Sequence, residues 1–286
     1  MYKLILSLAV LLLAFKTYAQ ADTTHKNEPD TIVVGKFVII KKNKNNVSKD
    51  SDENRNEHAW SMNIGPHRKH YRSNVSTNWF IFDLGFANYN DRTDYNSADA
   101  INYLHPNGGA AFTNDDLKLK TIKSSNVNIW LFMQKLNITQ HILNLKYGFG
   151  LEMYNFRYEN NITYHASPAY IFRDTINFSK DKLYVGYLTV PFMINVNTTP
   201  HNNKGLSFSA GVSAGYLIGN HNKQVSAEKG KQKIRGDFDL EKWQLAYIAE
   251  IGLGPVRLYG SYSMSTLHEK GLKQYPYAVG IRFSNW

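Results

Sequence analysis

The chain contains no cysteine among its 286 residues, and it has no apolar run long enough to cross a bilayer as a helix. A transmembrane helix needs about 20 consecutive apolar residues. The mean hydropathy of -0.43 conceals no such span. Because cysteine is absent, disulfides are excluded, and the fold must be stabilised by other means even if the chain is exported.

Acidic residues are also scarce, since 23 Asp and Glu stand against 33 Lys and Arg and the net charge is +10. A basic balance of this size raises the question of nucleic acid as a partner. However, the sequence contains no nucleic-acid motif, and its amino terminus indicates export. Anionic lipid headgroups attract clustered Lys and Arg, so they are the expected partners and nucleic acid is not.

The first 19 residues have the pattern of a cleavable secretory signal peptide. Lys3 supplies the positive charge, residues 4–15 are the apolar core, and residues 17–19 approximate a cleavage site. The core is too short to span a bilayer, and no cysteine follows it, so neither an uncleaved anchor nor a lipoprotein is expected. Cleavage after Ala19 would remove two lysines, Lys3 included, and lower the net charge from +10 to +8.

Residues 20–73 are expected to form a largely flexible periplasmic extension. The apolar run TIVVGKFVII at 31–40 is followed by a polar tract at 47–57 that is too poor in apolar residues to build a core. Two interpretations of the apolar run remain open, a strand that pairs with a partner and a short local hairpin. Basic residues precede the next segment and form either a solvated flank or contacts to lipid phosphates. They are His67, Arg68, Lys69, His70 and Arg72.

From residue 74 to residue 286 the sequence alternates apolar and polar residues in eight segments. In the clearest of them, residues 206–218, the even positions are apolar and most odd positions are small or polar. A period of two is typical of a strand with one apolar face and one wet face. The eight predicted strands begin near residues 79, 126, 143, 188, 206, 243, 256 and 275.

The connections between the predicted strands alternate strictly between long loops and short turns. The longest loops are residues 91–120, 160–182 and 220–238. Outer-membrane barrels have an even number of antiparallel strands, short periplasmic turns, long extracellular loops and aromatic girdles. The aromatic residues near strand ends are Trp79, Tyr216, Trp243, Tyr262, Tyr275 and Tyr277. The prediction is therefore an all-β fold, an eight-stranded antiparallel transmembrane β-barrel in the cell outer membrane.

An eight-stranded barrel has an interior just wide enough for side chains to fill it. Three acids and three bases have the inward parity and are predicted to form a lumen charge network. They are Asp83, Lys146, Glu152, Glu250, Arg257 and Arg282. A two-residue turn at 253–254 would place Glu250 directly opposite Arg257. Buried charges need partners, so a closed lumen of mutually satisfied charges is expected, with a gated polar path as the alternative.

No pattern indicates catalysis, and no catalytic, cofactor-binding or metal site is predicted. His165-Ala166-Ser167 has the His-x-Ser spacing found in an outer-membrane lipid A deacylase family, with Asp174 available to orient the histidine. The triplet falls in a predicted loop, and one such triplet in a Ser-rich chain is expected by chance. The chain is therefore expected not to be an enzyme.

Two charged loop clusters were weighed as binding sites. Carboxylates in the first loop lack EF-hand-like spacing and are expected to be solvated. They are Asp91, Asp94, Asp99, Asp115 and Asp116. Basic residues in the third loop have two open interpretations, contact with lipopolysaccharide phosphates and ordinary loop solubility. They are Lys223, Lys229, Lys231, Lys233 and Arg235.

Four segments carry a resemblance to a known family: the signal ending Ala19-Gln20, NWFIFDLGFANY, YLTVPFMINVN and YAVGIRF. In these the chain resembles the PorT-like outer-membrane β-barrel family, a branch of the small OmpA/OmpX-like barrels, over roughly residues 73–286. The resemblance implies a barrel of a Gram-negative envelope. Named members are associated with secretion or envelope assembly, and no catalytic residues come with the family. One departure is Trp286, which has the lumen parity, whereas Phe283 has the outward parity of an insertion signal.

The sequence thus predicts a non-enzymatic barrel with a closed lumen and a structural, assembly or secretion-associated role. It is expected to be a monomer without cofactor that binds an envelope protein through its periplasmic tail or outer loops. Its other expected partners are outer-membrane lipid, lipopolysaccharide and the barrel-insertion machinery. The alternatives are a lipid-modifying enzyme of the lipid A deacylase type and a narrow channel.

Overall fold

A computed structural model describes residues 31–34, 37–40 and 73–284, except 201–204 and 254–255. Contacts divide the chain into two units, residues 1–68 and residues 69–286. The predicted signal peptide, the basic flank at residues 67–72, most of the predicted extension and Trp286 lie outside the described residues. Among the helices in the described ranges, none combines the length and the apolar character needed to cross a membrane.

The described part of the first unit is an antiparallel hairpin. Strand β1 (Thr31–Val34) pairs with strand β2 (Phe37–Ile40), and Val34 lies opposite Phe37. Seven of the eight strand residues are β-branched, as the strand preference of such residues leads one to expect. Of the two interpretations of this apolar run, the structure shows the local hairpin.

The second unit contains twelve strands in its described residues. They are β3 (Val75–Asp91), β4 (Leu104–His105), β5 (Ser125–Thr139), β6 (Leu143–Arg157), β7 (Ile162–Ala166), β8 (Ala169–Arg173), β9 (Phe178–Asn197), β10 (Leu206–Ser226), β11 (Gly230–Ile234), β12 (Trp243–Leu253), β13 (Val256–Ser263) and β14 (Gln274–Phe283). One α-helix, α1 (Ala98–Tyr103), and two 3-10 turns, Asn114–Leu117 and Thr121–Lys123, lie between β3 and β5.

Eight of these strands pair in a ring. In ring order they are β3, β5, β6, β9, β10, β12, β13 and β14, each antiparallel to the next, and β14 pairs with β3. They correspond to the eight strands predicted from the alternation, so the all-β fold and the antiparallel ring are confirmed. The other four strands fall within predicted long loops, which are therefore less irregular than expected.

The two faces of the ring differ as the period of two predicts. On β9, Val190, Phe192 and Ile194 are exposed, while the residues between them are buried. The same row of exposed apolar side chains continues around the ring, on β10, β12, β13 and β14. An apolar surface of this extent is typical of lipid contact, not of a soluble protein. We call this row of outward apolar residues the belt.

One stretch of the wall departs from the predicted parity. Met133 shares the sequence parity of Val127 and Ile129, for which an outward face is expected, yet it is buried. The β5–β6 ladder passes from Trp130 opposite Gly150 to Phe132 opposite Phe149 and so gives β5 an extra residue. A bulge of this kind reverses the faces beyond it. On β3, Phe80 has φ 54°, and Trp79, predicted inward, is 66% exposed.

The outer ends of two strands differ from the prediction, and a third settles an alternative. Near Tyr154 on β6, where the apolar parity changes, the sequence allows a bulge or a strand that rises above the bilayer, and the regular pairing with β9 from Gly150 to Arg157 excludes the bulge. The inward face simply changes from polar to aromatic there. Residues 178–182 and 220–226, predicted as loop, are strand, because β9 and β10 remain paired from Asn197 opposite Ser207 up to Phe178 opposite Ser226. These extensions of β9 and β10 are polar, so the alternation of apolar residues did not indicate them.

Candidate functional site: the lumen network and the outer cap

Glu250 joins three cations from three other strands inside the ring. Its carboxylate accepts hydrogen bonds from Lys146 Nζ at 2.6 Å, Arg257 Nη1 at 2.9 Å and Arg282 Nη1 at 2.8 Å. All four side chains are buried. Lys146 is on β6 and the two arginines are on β13 and β14, so the contacts cross the lumen. We call these four residues and Asp83 the lumen network.

Arg282 links Glu250 to Asp83. Its Nε and Nη2 each lie 2.7 Å from a different oxygen of Asp83, which is the bidentate geometry that suits a planar guanidinium. Asp83 also accepts hydrogen bonds from Asn128 Nδ2 at 3.1 Å and Trp130 Nε1 at 2.7 Å. The guanidinium lies over the rings of Trp130 and Tyr259, at 5.2 and 5.8 Å. The lumen network is therefore densely hydrogen-bonded.

The predicted register between Glu250 and Arg257 is wrong, although the two side chains do form an ion pair. Leu253 pairs with Val256, so Arg257 is opposite Gly252 and Glu250 is opposite Tyr259. Two residues, 254 and 255, separate the paired positions and lie outside the described range. The contact is diagonal, and Gly252 makes room for it, since a Cβ there would collide with the guanidinium.

Glu152, the sixth predicted member, lies apart from the lumen network. Its carboxylate accepts hydrogen bonds from Tyr154 OH at 2.7 Å and from Thr189 Oγ1 at 3.4 Å, and no ion pair joins it to a cation among the described residues. It borders a cavity of about 20 Å³ together with Ser213 and Tyr259. A cavity of that size holds about one water molecule. The structure thus brings five of the six predicted residues together.

Beyond the lumen network the interior becomes aromatic. Buried rings from the ring strands meet rings from the loops in a cluster that the sequence analysis missed. Its members are Tyr89, Tyr103, Phe112, Tyr154, Phe156, Tyr158, Tyr164, Tyr187 and Phe238. Several of the hydroxyls have partners: Tyr158 OH lies 2.6 Å from Tyr164 OH, and Tyr103 OH donates to the Phe238 carbonyl at 2.6 Å. Buried tyrosines normally require such partners.

The loops above this cluster are folded. Strands β4, β8 and β7 form a small sheet, and Ser97 caps helix α1, its hydroxyl accepting the Ala100 amide. We call this sheet, α1, the two 3-10 turns and the aromatic cluster beneath them the outer cap. The inward parity of Tyr154, Phe156 and Tyr158 is the sequence feature that could have indicated it.

Arg173 holds the first loop to the small sheet of the outer cap. Its guanidinium contacts Asp116 at 2.7 and 2.8 Å, donates to the carbonyls of Ala110 and Ala111, and lies 4.4 Å from the centre of the Phe112 ring. Burial alone would raise the pKa of Asp116, but the hydrogen bonds from Arg173 and Thr113 outweigh it and hold that pKa below its ordinary value. The ion pair therefore stays charged over the physiological range.

The residues weighed as catalytic do not come together. His165 Nδ1 lies 2.8 Å from the Pro168 carbonyl, and its ring stacks on Tyr170 at 4.5 Å. Asp174 accepts from Thr163 Oγ1 at 2.8 Å and from the Ile176 amide at 3.1 Å, not from His165. The arrangement therefore shows no activated hydroxyl at this triplet.

The acidic residues of the first loop serve local contacts. Asp91 accepts from Tyr95 OH at 2.7 Å and from Gln274 Nε2 at 2.9 Å, and Asp94 accepts from the Asn96 amide at 3.0 Å. Within the described ranges, no three His, Cys, Asp or Glu residues are grouped so as to hold a metal ion.

His268 makes the outer cap sensitive to acid. Burial lowers its pKa to about 3, with the charge of Asp91 opposing that shift, and neither ring nitrogen has a hydrogen-bond partner among the described residues. Its ring packs against Tyr103 and Tyr164. In the unfolded chain the histidine has its ordinary pKa of 6.5, so below pH 6.5 the unfolded state binds a proton that the folded state does not bind. The contribution of neutral His268 to stability is therefore complete above pH 6.5 and is lost as the pH falls toward 3.

The expected result is a loss of about 1.4 kcal/mol of unfolding free energy per pH unit below 6.5 from this residue. His268→Phe keeps an aromatic ring in the cluster and removes the proton-binding group. Denaturant unfolding of both proteins between pH 7 and pH 4 should show a shallower acid dependence in the variant. Parallel pH profiles would contradict this role for His268.

A sequence model of one protein family, described as outer membrane protein beta-barrel domain, matches residues 50–267. This match covers most of the ring and of the outer cap. A search of curated proteins finds no match to the chain.

Proposed function

The chain belongs to the outer membrane protein beta-barrel domain family, and we propose that it is a non-enzymatic, non-conducting barrel whose outer cap binds a protein partner of the envelope. Family membership places it in the outer membrane. In this proposal the ring crosses the bilayer, with the short turns in the periplasm and the outer cap outside. The role belongs to envelope structure, assembly or secretion.

A closed lumen is supported by two successive layers of packed side chains. The Asp83–Arg282 ion pair and the contacts of Glu250 fill one layer, and the aromatic cluster fills the next. An eight-stranded barrel has room for little else. The narrow-channel alternative requires a water path through both layers, whereas the cavity beside Glu152 holds about one water.

The observation that carries the binding proposal is the folded state of the outer cap. Loops that only join strands need no sheet, helix or partly buried ion pair, yet the first two long loops together have all three. The outer cap also presents apolar side chains to solvent, with Ile122 85% exposed and Ile101 58% exposed. Rigid surfaces with exposed apolar groups are suited to protein recognition.

The lipid-modifying alternative gains nothing from the structure. His165 lies in the small sheet of the outer cap, and its contacts are to Pro168 and Tyr170. Within the described part of the chain, His165 forms no hydrogen bond that would orient Ser167, and Asp174 accepts from Thr163 and Ile176, not from His165. A hydrolase of this type needs a nucleophile and base in hydrogen-bond reach.

Site-specific photocrosslinking in intact cells tests the binding proposal. A photoreactive residue at Ile101 or Ile122 should yield the same protein adduct from both positions, whereas one at Leu258 in the belt should yield lipid adducts only. Arg173→Ala, which removes the Asp116 ion pair, should reduce the protein adduct while the ring stays folded. Absence of any protein adduct from both cap positions would overturn the proposal.

A further inference from the structure

Four basic residues stand side by side across four neighbouring strands. Arg157 on β6 is opposite Lys182 on β9, Lys182 is opposite Lys223 on β10, and Lys223 is opposite Lys233 on β11. We call these four residues the cationic row. Lys180 and Lys231 flank it, since both are opposite Val225. Sequence reasoning noted the lysines of the third loop but not their alignment with Arg157, Lys180 and Lys182.

Like charges placed directly opposite each other destabilise a sheet. No ion pair joins any residue of the cationic row to an acid among the described residues. The nearest partners are neutral oxygens: Lys182 Nζ donates to Asn155 Oδ1 at 2.6 Å, and Arg157 Nη2 donates to the Ser179 carbonyl at 2.8 Å. Arg157 Nε is buried and has no partner in this part of the chain. The row therefore lacks the anions that would balance it.

The electrostatic strain is visible at Lys182. Lys182 lies beyond the belt, and burial together with the charges of Lys180, Lys223, Lys233 and Arg157 lowers its pKa to about 8. An anion placed against the row would relieve this repulsion and raise the pKa of the lysine toward its ordinary value.

The cationic row lies on the outer wall of the ring, a short distance beyond the belt. On β10 the last exposed apolar residues are Tyr216, which stacks on Trp243 at 4.9 Å, and Ile218. Lys223 is five residues farther along, about 13 Å higher for a strand rise of about 3.3 Å and a tilt of about 40°. Between them Tyr184 and His221 stack at 4.7 Å. This is the height of lipid headgroups, within reach of long lysine side chains.

We propose that the cationic row binds the phosphate groups of a phosphorylated glycolipid in the outer leaflet, the lipid class of lipopolysaccharide. The proposal rests on the proposed function, which places this end of β10 outside. A polyanionic headgroup complements several aligned cations at once, and the aromatic stack below meets the boundary between headgroup and acyl chain. A protein ligand is less suited, because the row faces sideways into the lipid layer, not upward with the outer cap.

Lipid titration of the full-length protein in neutral detergent micelles tests the proposal. Bisphosphorylated lipid A should raise the thermal midpoint of unfolding, and the variant Lys182→Gln/Lys223→Gln/Lys233→Gln should lose most of that rise. The matched control, Lys270→Gln/Lys273→Gln, removes two exposed lysines from the loop before β14, away from the row, and should keep it. Equal rises in all three proteins would overturn the proposal.

Two further arms separate the ligand sources. Dephosphorylated lipid A and inorganic phosphate should each leave the thermal midpoint nearly unchanged. A full rise with either compound would overturn the assignment to a phosphorylated lipid. In lipid-free micelles at low salt, the triple row variant should be at least as stable as the native protein, because the repulsion is gone. If the triple row variant is less stable than the native protein, the single variant Lys223→Gln decides. The proposal stands only if this variant loses part of the rise in thermal midpoint that lipid A causes.

These readouts do not involve the outer-cap partner. A missing lipid response would refute the lipid site and leave crosslinking from Ile101 and Ile122 unaffected. Conversely, missing protein adducts would refute the proposed partner and leave the lipid response intact.

Discussion

Replacing Glu250 by alanine is expected to lower the free energy of unfolding by about 3–5 kcal/mol. Glu250 is the carboxylate that Lys146, Arg257 and Arg282 share inside the ring, at distances of 2.6 to 2.9 Å. Its removal takes one of the two anions from a buried network that holds three cations. Solvent is poorly placed to replace that charge, because the carboxylate is buried among its three cations.

Two comparison variants separate charge from packing in that experiment. Glu250→Gln keeps nearly the same volume, so a similar loss would assign the effect to the missing charge. Glu159→Ala removes a carboxylate from an exposed position and should change stability by less than about 0.5 kcal/mol. Denaturant unfolding of the three variants in micelles measures the differences. If Glu250→Ala cost no more than Glu159→Ala, the lumen network would contribute nothing to stability.

Placing an arginine at Val212 is expected to cost about 2–4 kcal/mol in a bilayer. Val212 is 44% exposed in the middle of the β10 belt, opposite Phe192 and Tyr247. An arginine there faces hydrocarbon, and the penalty is largest at the bilayer midplane. Reversible unfolding from lipid vesicles measures the loss.

The matched control is Ile122→Arg, which makes a similar change at an exposed aliphatic residue of the outer cap. It should cost less than about 0.5 kcal/mol, because water surrounds that position. Ser213→Arg, on the opposite face, should not carry the lipid penalty, and any cost there should be unaffected by the thickness of the bilayer. Equal losses for Val212→Arg and Ile122→Arg would contradict the assigned faces.

The ring could be predicted from the sequence because the lipid requires it. Every strand must turn an apolar face outward, so β9 and β10 show strict alternation over their belt residues. The exception was the wall around Trp79 and Phe80, where neighbouring residues are all apolar. Parity cannot be assigned from such a run, and the bulge that turns Met133 inward leaves no compositional mark.

The outer cap could not be predicted for a different reason. Its core joins residues that are far apart in the chain, such as Tyr103 with Phe238 and Tyr164 with His268. Alternation on a single strand contains no information about those partners. The aromatic residues at the inward positions of β6 therefore looked like a change of strand parity. They are in fact part of the buried aromatic cluster of the outer cap.

The lumen network could be predicted in part, better than the outer cap and less fully than the ring. Inward parity identified the five residues, since a charge in a narrow lumen needs a partner. It did not identify which charges meet, because a shift of one residue in the turn moved Arg257 from Glu250 to Gly252. The long side chain of Arg257 nevertheless reaches Glu250 diagonally across the two strands. Glu152 shared the parity of the others and still lies beyond their reach.

Single-channel recording tests the central claim most directly. The full-length protein is inserted into a planar bilayer, and insertion is verified by protease protection of the same sample. A ring filled by the lumen network and closed by the outer cap should give no unitary current at any voltage that the bilayer tolerates. Reproducible open steps from the native protein would contradict the account.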